Sequence, residues 1–234
     1  MKPKRCYDLP PPGLSPSTLT GALIVIEGPD SSGRSTHIAM LAEWLEQKGY
    51  AVAQVGLKRS TLVSRELETA KQGNVLSPRT LSLFYATDFY DQMENRIVPA
   101  LRAGFIVLAD RYIYTLMARD IVRGARPEWV ESVYSMALVP DVVFSFVVSS
   151  RTLVERTFQK NSRLDYWESG MDTGLSRDWF ECHMKYQRRM RAEFNRMEKR
   201  YGFERVNANR SIRTLDIDLK KRVQKLLEID IPEA

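Results

Sequence analysis

Cysteines and long apolar runs are both scarce in this chain. Cys6 and Cys182 are its only cysteines. Two thiols, one of them in a proline-rich tail expected to be mobile, exclude a disulfide framework and make a reducing cytoplasm the expected compartment. No apolar stretch approaches membrane-spanning length, because Phe105 to Ala109 and Val142 to Val148 have the length of strands. The basic start, Met1 to Arg5, runs into Pro10, Pro11 and Pro12 rather than an apolar core, which is unlike a secretory signal. What is present is ordinary for a globular chain. The 234 residues are 44% hydrophobic and 27% charged, enough for one sizeable α/β domain. The net charge of +6 favours anionic partners, nucleotides and nucleic acid alike.

Residues 1–20 are rich in proline and serine and read as an extended arm with a flexible tail as its default. A domain over 21–230 follows. Apolar runs at Leu23 to Ile26, Ala51 to Val55, Phe105 to Ala109, Asp141 to Val148 and Phe203 to Val206 predict strands. Helical patterns fill the gaps, including Leu62 to Lys71 and Pro78 to about Ala103, the latter ended by Gly104. Strands alternating with helices at crossover length indicate a parallel sheet covered on both faces. From about Ser176 to Arg200 a basic helix carries Phe180, Met184, Met190, Phe194 and Met197 at roughly helical spacing. That spacing favours a core-packed helix with a solvated basic face, and nucleic acid is not expected as a partner.

The segment Gly28-Pro29-Asp30-Ser31-Ser32-Gly33-Arg34-Ser35-Thr36 has the form of a phosphate-binding loop between a strand and a helix, with arginine where lysine is usual. Gly28 and Gly33 permit backbone angles that side chains forbid. Successive N–H groups can then wrap a phosphate at the positive end of the following helix. Ser35 is placed to ligate magnesium, and Arg34 keeps the expected charge in a planar form. A second feature, Asp110-Arg111-Tyr112, ends the strand Phe105 to Ala109. Ligands bind at the carboxyl ends of such strands, so this triplet is expected to face the loop. There an aspartate can organise magnesium and an arginine can fork onto phosphate oxygens.

With these motifs the chain resembles the thymidylate kinases, from about Ala22 to Leu227. The resemblance rests on Ile26-Glu27-Gly28-x-Asp30, Pro99-Ala-Leu-x-x-Gly104, Asp110-Arg111-Tyr112, Pro140-Asp141 and Leu164-Asp165-Tyr166-Trp167-Glu168, in that order. It implies an α/β, three-layer P-loop kinase fold with a five-stranded parallel sheet, helices on both faces, and a short lid at about 159–175. It also implies transfer of the γ-phosphoryl of ATP, with Mg2+, to a nucleoside monophosphate, foremost dTMP, by a homodimer. By resemblance, Asp30 looks toward the acceptor sugar, and Arg34, Asp110 and Arg111 are catalytic. Ser35 and Asp110 serve the metal, Lys58 and Arg59 grip the acceptor phosphate, and Thr115 lies near the base. Tyr85 either stacks on the base or faces the core. Lys160 and Arg163 close over the donor phosphates.

The departures gather on the acceptor side. Counted without gaps from Pro99, the family's base-contacting arginine falls on Phe89. A tyrosine–glutamine pair is replaced by Arg119-Asp120, and a lid arginine by Tyr166. An apolar slot rejects analogues less strongly than a hydrogen-bonding one. Another pyrimidine nucleotide or small phosphoryl acceptor therefore stays open as the substrate, and Arg34 leaves open a catalytically weak nucleotide-binding regulator.

Overall fold

Alternate residues of the first strand, β1 (Ala22–Glu27), belong to different cores. Leu23 and Val25 pack on one side of the sheet, Ala22, Ile24 and Ile26 on the other, and all are buried. A run buried on both faces needs no polar alternation, which is why the sequence here is continuously apolar. The computed structural model describes residues 3–73, 76–149, 152, 153, 155, 156, 166, 167 and 169–228. Its other strands are β2 (Val52–Gly56), β3 (Ile106–Asp110), β4 (Val142–Val147) and β5 (Glu204–Asn207). They form one five-stranded sheet in the order β2-β3-β1-β4-β5, with every pairing parallel. β1 is central, so the loops after β1 and β3 open side by side at the carboxyl edge.

Against one face lie α1 (Arg34–Gln47) and α8 (Ile212–Leu227), which contribute Ile38, Leu41, Leu45, Leu215, Leu219 and Val223. The other face carries α3 (Pro78–Gln92), α4 (Val98–Arg102), α5 (Ile113–Val122) and α7 (Trp179–Tyr201). Two short helices, α2 (Ser64–Gly73) and α6 (Pro127–Val133), complete this layer. This is the expected three-layer α/β architecture. Among the described residues no helix is long and apolar enough to cross a membrane.

The sequence-based expectations need correction in three places. The helix expected from Pro78 to Ala103 contains a π-turn at Met93–Ile97. Pro99 explains it: a proline ring clashes with the carbonyl four residues back, and a widened turn relieves the clash. Phe180 leaves the apolar stripe of α7 and is 49% exposed, whereas Cys182, Tyr186 and Met197 face the core. The N-terminal arm is not a mobile tail from residue 3 onward. Cys6 is buried and bridges antiparallel to Leu138. Tyr7 N donates to Ala137 O and Val139 N to Arg5 O. The Tyr7 ring meets Tyr114 and Tyr201 edge-on, a contact that the local composition of a proline-rich segment does not reveal.

Candidate active site

Gly28 ends β1 at φ +153°, and a Cβ there would lie 2.9 Å from that of Phe146, so only glycine lets the chain leave the sheet here. Gly33, at φ +94°, caps α1. Between them the backbone curls around the Arg34 side chain. Arg34 Nη1 donates to Gly28 O (2.6 Å) and to Pro29 O, and Nε donates to Asp110 Oδ1 (2.8 Å). Its guanidinium is nearly buried and fastens the loop to the end of β3. Ser35 Oγ donates to Asp110 Oδ2 at 2.8 Å, while Thr36 is exposed on the first turn of α1.

Arg111 follows at φ +70°, its N–H held by Ile26 O (3.0 Å). The next residues are fixed by a motif residue to which the sequence assigned no role. Glu27 is fully buried and accepts from Tyr112 N, Thr115 N and Thr115 Oγ1, capping α5 from across the sheet. Burial raises the Glu27 pKa, with these hydrogen bonds opposing the rise. Thr115 was expected near the acceptor base; it borders a groove against α7, but its hydroxyl is committed to Glu27. Arg111 Nη2 bonds Asp30, and Arg111 Nε is buried with no acceptor among the described residues. Burial alone would raise Asp30, yet Arg111, Arg119 and Arg34 outweigh it and hold the carboxyl well below the usual range. Asp110 behaves likewise: its burial is overcome by Arg34, Ser35 and Arg111, so it remains a carboxylate.

Beside Asp110 opens a cleft of about 110 Å³, lined by Arg34, Leu57, Lys58, Arg59, Lys71, Tyr85, Arg111 and Arg119. Six cations face one carboxylate, an arrangement suited to a multiply charged anion. Its floor is held from α3: Asp88 accepts from Lys58 N (2.8 Å) and Ser60 N (2.9 Å), and Gln92 bonds both polar groups of the Gly56 backbone. Lys58 adopts φ +60° under this restraint, and its ammonium pairs with Glu68 at 3.0 Å. Tyr85 lines the cleft and is also buried within the core cluster, so its position fits both of its expected roles.

Phe89 does not line it. The ring is buried against Tyr90, Tyr112 and Tyr134. Counting back from Pro99 without gaps assumes an uninterrupted α-helix, and the π-turn between them rotates the phase of every earlier residue. Lys71 and Arg156 were not singled out from the sequence. Lys71 lies on the cleft wall, and Arg156 Nη1 reaches Ser32 O at 3.4 Å on the other side of the loop. Lys160 and Arg163 lie outside the described residues.

The cleft continues past Tyr85, Lys71 and Arg119 into a slot bordered by Leu81, Leu116, Asp120, Arg123, Tyr134 and Trp167. Asp120 accepts from Ser82 Oγ. Burial pushes its pKa up to about 6 against the opposing effects of Ser82, Arg123 and Arg119. Between roughly pH 4 and 6 the folded chain therefore holds a proton that the unfolded chain releases, and stability falls as pH rises through that window. At ~1.4 kcal/mol per unit the whole cost is ~3 kcal/mol above pH 6. Asp120→Asn should be about 1–3 kcal/mol more stable than the parent in urea unfolding at pH 7.5, with the difference gone below pH 4. An unchanged difference across that range would disprove the assignment.

Among the described residues no group of three or more His, Cys, Asp or Glu could hold a metal. A hydroxyl and a carboxylate 2.8 Å apart nevertheless suit magnesium, which takes one or two protein ligands and completes its shell from phosphates and water.

The family model for thymidylate kinase matches residues 26–218. Over 204 residues the chain is 33% identical to a probable thymidylate kinase 2 of Saccharolobus solfataricus, covering 87% of this chain and 95% of the relative. A thymidylate kinase of an Exiguobacterium species is 30% identical over 208 residues, covering 83% and 90%. A probable thymidylate kinase of Pyrococcus abyssi is 26% identical, covering 86% and 95%.

Proposed function

The chain belongs to the thymidylate kinase family, and on that premise we propose that it transfers the γ-phosphoryl group of ATP to dTMP, giving dTDP and ADP. One observation carries the reading: the phosphate loop and the cationic cleft meet at a single carboxylate, Asp110. Two phosphate sites that share a wall bring donor and acceptor to reacting distance, which is most of what phosphoryl transfer asks of a protein. The loop N–H groups and Arg34 hold the donor phosphates. Arg59 and Arg111 turn the acceptor phosphate toward them, and Asp30 takes the sugar side. A phosphate monoester is already mostly dianionic at pH 7, so the acceptor needs no general base. Ser35 and Asp110 would hold magnesium, which when bound would offset the charge of the donor phosphates.

Pure protein with ATP, magnesium and a panel of nucleoside monophosphates tests the proposal through ADP release. The highest kcat/KM is expected with dTMP. Absence of turnover with every acceptor would overturn the proposal, and a clear preference for another would replace dTMP. Arg34→Lys is expected to keep kcat within about tenfold, because an ammonium retains the charge beside Asp110 while losing one carbonyl contact. A loss beyond a hundredfold would show that the fork geometry itself is required.

A further inference from the structure

Lys71 closes the last turn of α2 and is only 8% exposed. Its low exposure belongs to the aliphatic stem, while the amine opens onto the cationic cleft rather than into the core. Lys71 has no hydrogen-bonding or ion-pair partner for its amine among the described residues. Around the cleft it shares the lining with five further cations, Arg34, Lys58, Arg59, Arg111 and Arg119, and with one carboxylate, Asp110, whose oxygens already accept from Arg34 and Ser35. Lys58 differs, since Glu68 neutralises it. Arg34 and Arg111 likewise have Asp110 and Asp30.

The backbone of Lys71 is held as firmly as its amine is free. Trp167 Nε1 donates to Lys71 O at 3.1 Å, and Trp167 is in turn held through its own carbonyl by Arg123 Nη2 (3.0 Å). Arg123 also grips Asp172, at 2.7 Å from Nε. A charge that opens onto a cleft crowded with like charges, with no carboxylate of its own among the described residues, disfavours the free protein and gains when an anion enters the cleft. Stability given up at a fixed site is a mark of function.

We propose that Lys71 is a ligand of the acceptor phosphate, gripping it from the α2 side, opposite Arg59 and Arg111. The proposal rests on the kinase reading and extends it to a residue outside the two sequence motifs. It explains why a lysine near the end of an otherwise polar helix points inward. It also joins the acceptor phosphate to the Tyr166–Thr173 segment through one hydrogen bond.

Lys71→Met keeps the buried stem and removes the charge, and Lys71→Arg restores it. Steady-state kinetics with the acceptor that the wild type prefers, together with thermal melts of the unliganded proteins, test the idea. Lys71→Met should raise KM for the acceptor at least tenfold and leave KM for ATP within twofold. Its unliganded melting temperature should equal or exceed that of the wild type, and Lys71→Arg should recover most of the affinity. An acceptor KM within twofold of wild type in Lys71→Met would overturn the proposal while leaving the kinase reading intact. So would a lowered melting temperature with both KM values raised, the signature of a merely structural lysine. A wild type that phosphorylates no nucleoside monophosphate would overturn both.

Discussion

Asp110→Asn should lower kcat by about 10³-fold while the protein remains folded. Each oxygen of Asp110 serves a different partner: Oδ1 takes Arg34 Nε and Oδ2 takes Ser35 Oγ. An amide keeps the shape but supplies only one acceptor, so either Arg34 or Ser35 would face an N–H instead. The substitution also removes the only negative charge that lines the cationic cleft among the described residues, and with it the carboxylate proposed for magnesium. Both losses act on groups that must be aligned when the phosphoryl moves, so the effect belongs in kcat more than in acceptor KM. Turnover at saturating ATP and dTMP, beside a circular dichroism melt, measures it. A kcat within tenfold of the parent in a folded variant would remove Asp110 from the chemistry.

Lys4→Met is expected to cost about 3–5 kcal/mol of stability, although the residue lies far from the site. Lys4 Nζ sits 2.5 Å from both oxygens of Asp141, and the two side chains are 3% and 8% exposed. Removing the amine leaves a buried carboxylate whose remaining partner in the structure is Leu23 N, at 2.7 Å. That loss is a large share of the roughly 5–15 kcal/mol typical of a folded domain. For a chain of this size it corresponds to a fall in melting temperature of roughly 6–20 °C. Adding Asp141→Asn to Lys4→Met should recover most of the loss, because the stranded charge is then gone. A single substitution that changes the unfolding free energy by less than ~1 kcal/mol would show the pair to be dispensable.

The sheet was legible because its signal is local and redundant. Leu23 to Ile26 and Phe105 to Ala109 are continuous apolar runs, and each ends in a motif whose chemistry requires the carboxyl edge. Gly28, Arg34, Ser35, Asp110 and Arg111 were found for the same reason, and the structure brings them together. What escaped depends on geometry that no window of residues contains. Phe89 was assigned to the substrate because a π-turn hidden before Pro99 shifts the helix phase. Thr115 carries a suitable hydroxyl, but Glu27, 88 residues away, already uses it. Lys71 looks like any surface lysine until its neighbours are known. The arm seemed mobile because proline-rich composition describes the isolated segment and is silent about Leu138 and Tyr114.

The docked arm also has a consequence for the order in which the chain is made. Lys4 and Asp141 are separated by 137 residues. At the usual pace of synthesis, about 5–20 residues per second, Lys4 leaves the ribosome roughly 7–27 s before its partner does. During that interval Cys6 and Tyr7 are uncovered, because Leu138 and Tyr114 have also yet to emerge. The strap that fastens the finished domain is thus its first-born part and among the last to find its place, and a nascent chain halted before residue 141 should leave Cys6 open to thiol reagents that the completed protein excludes.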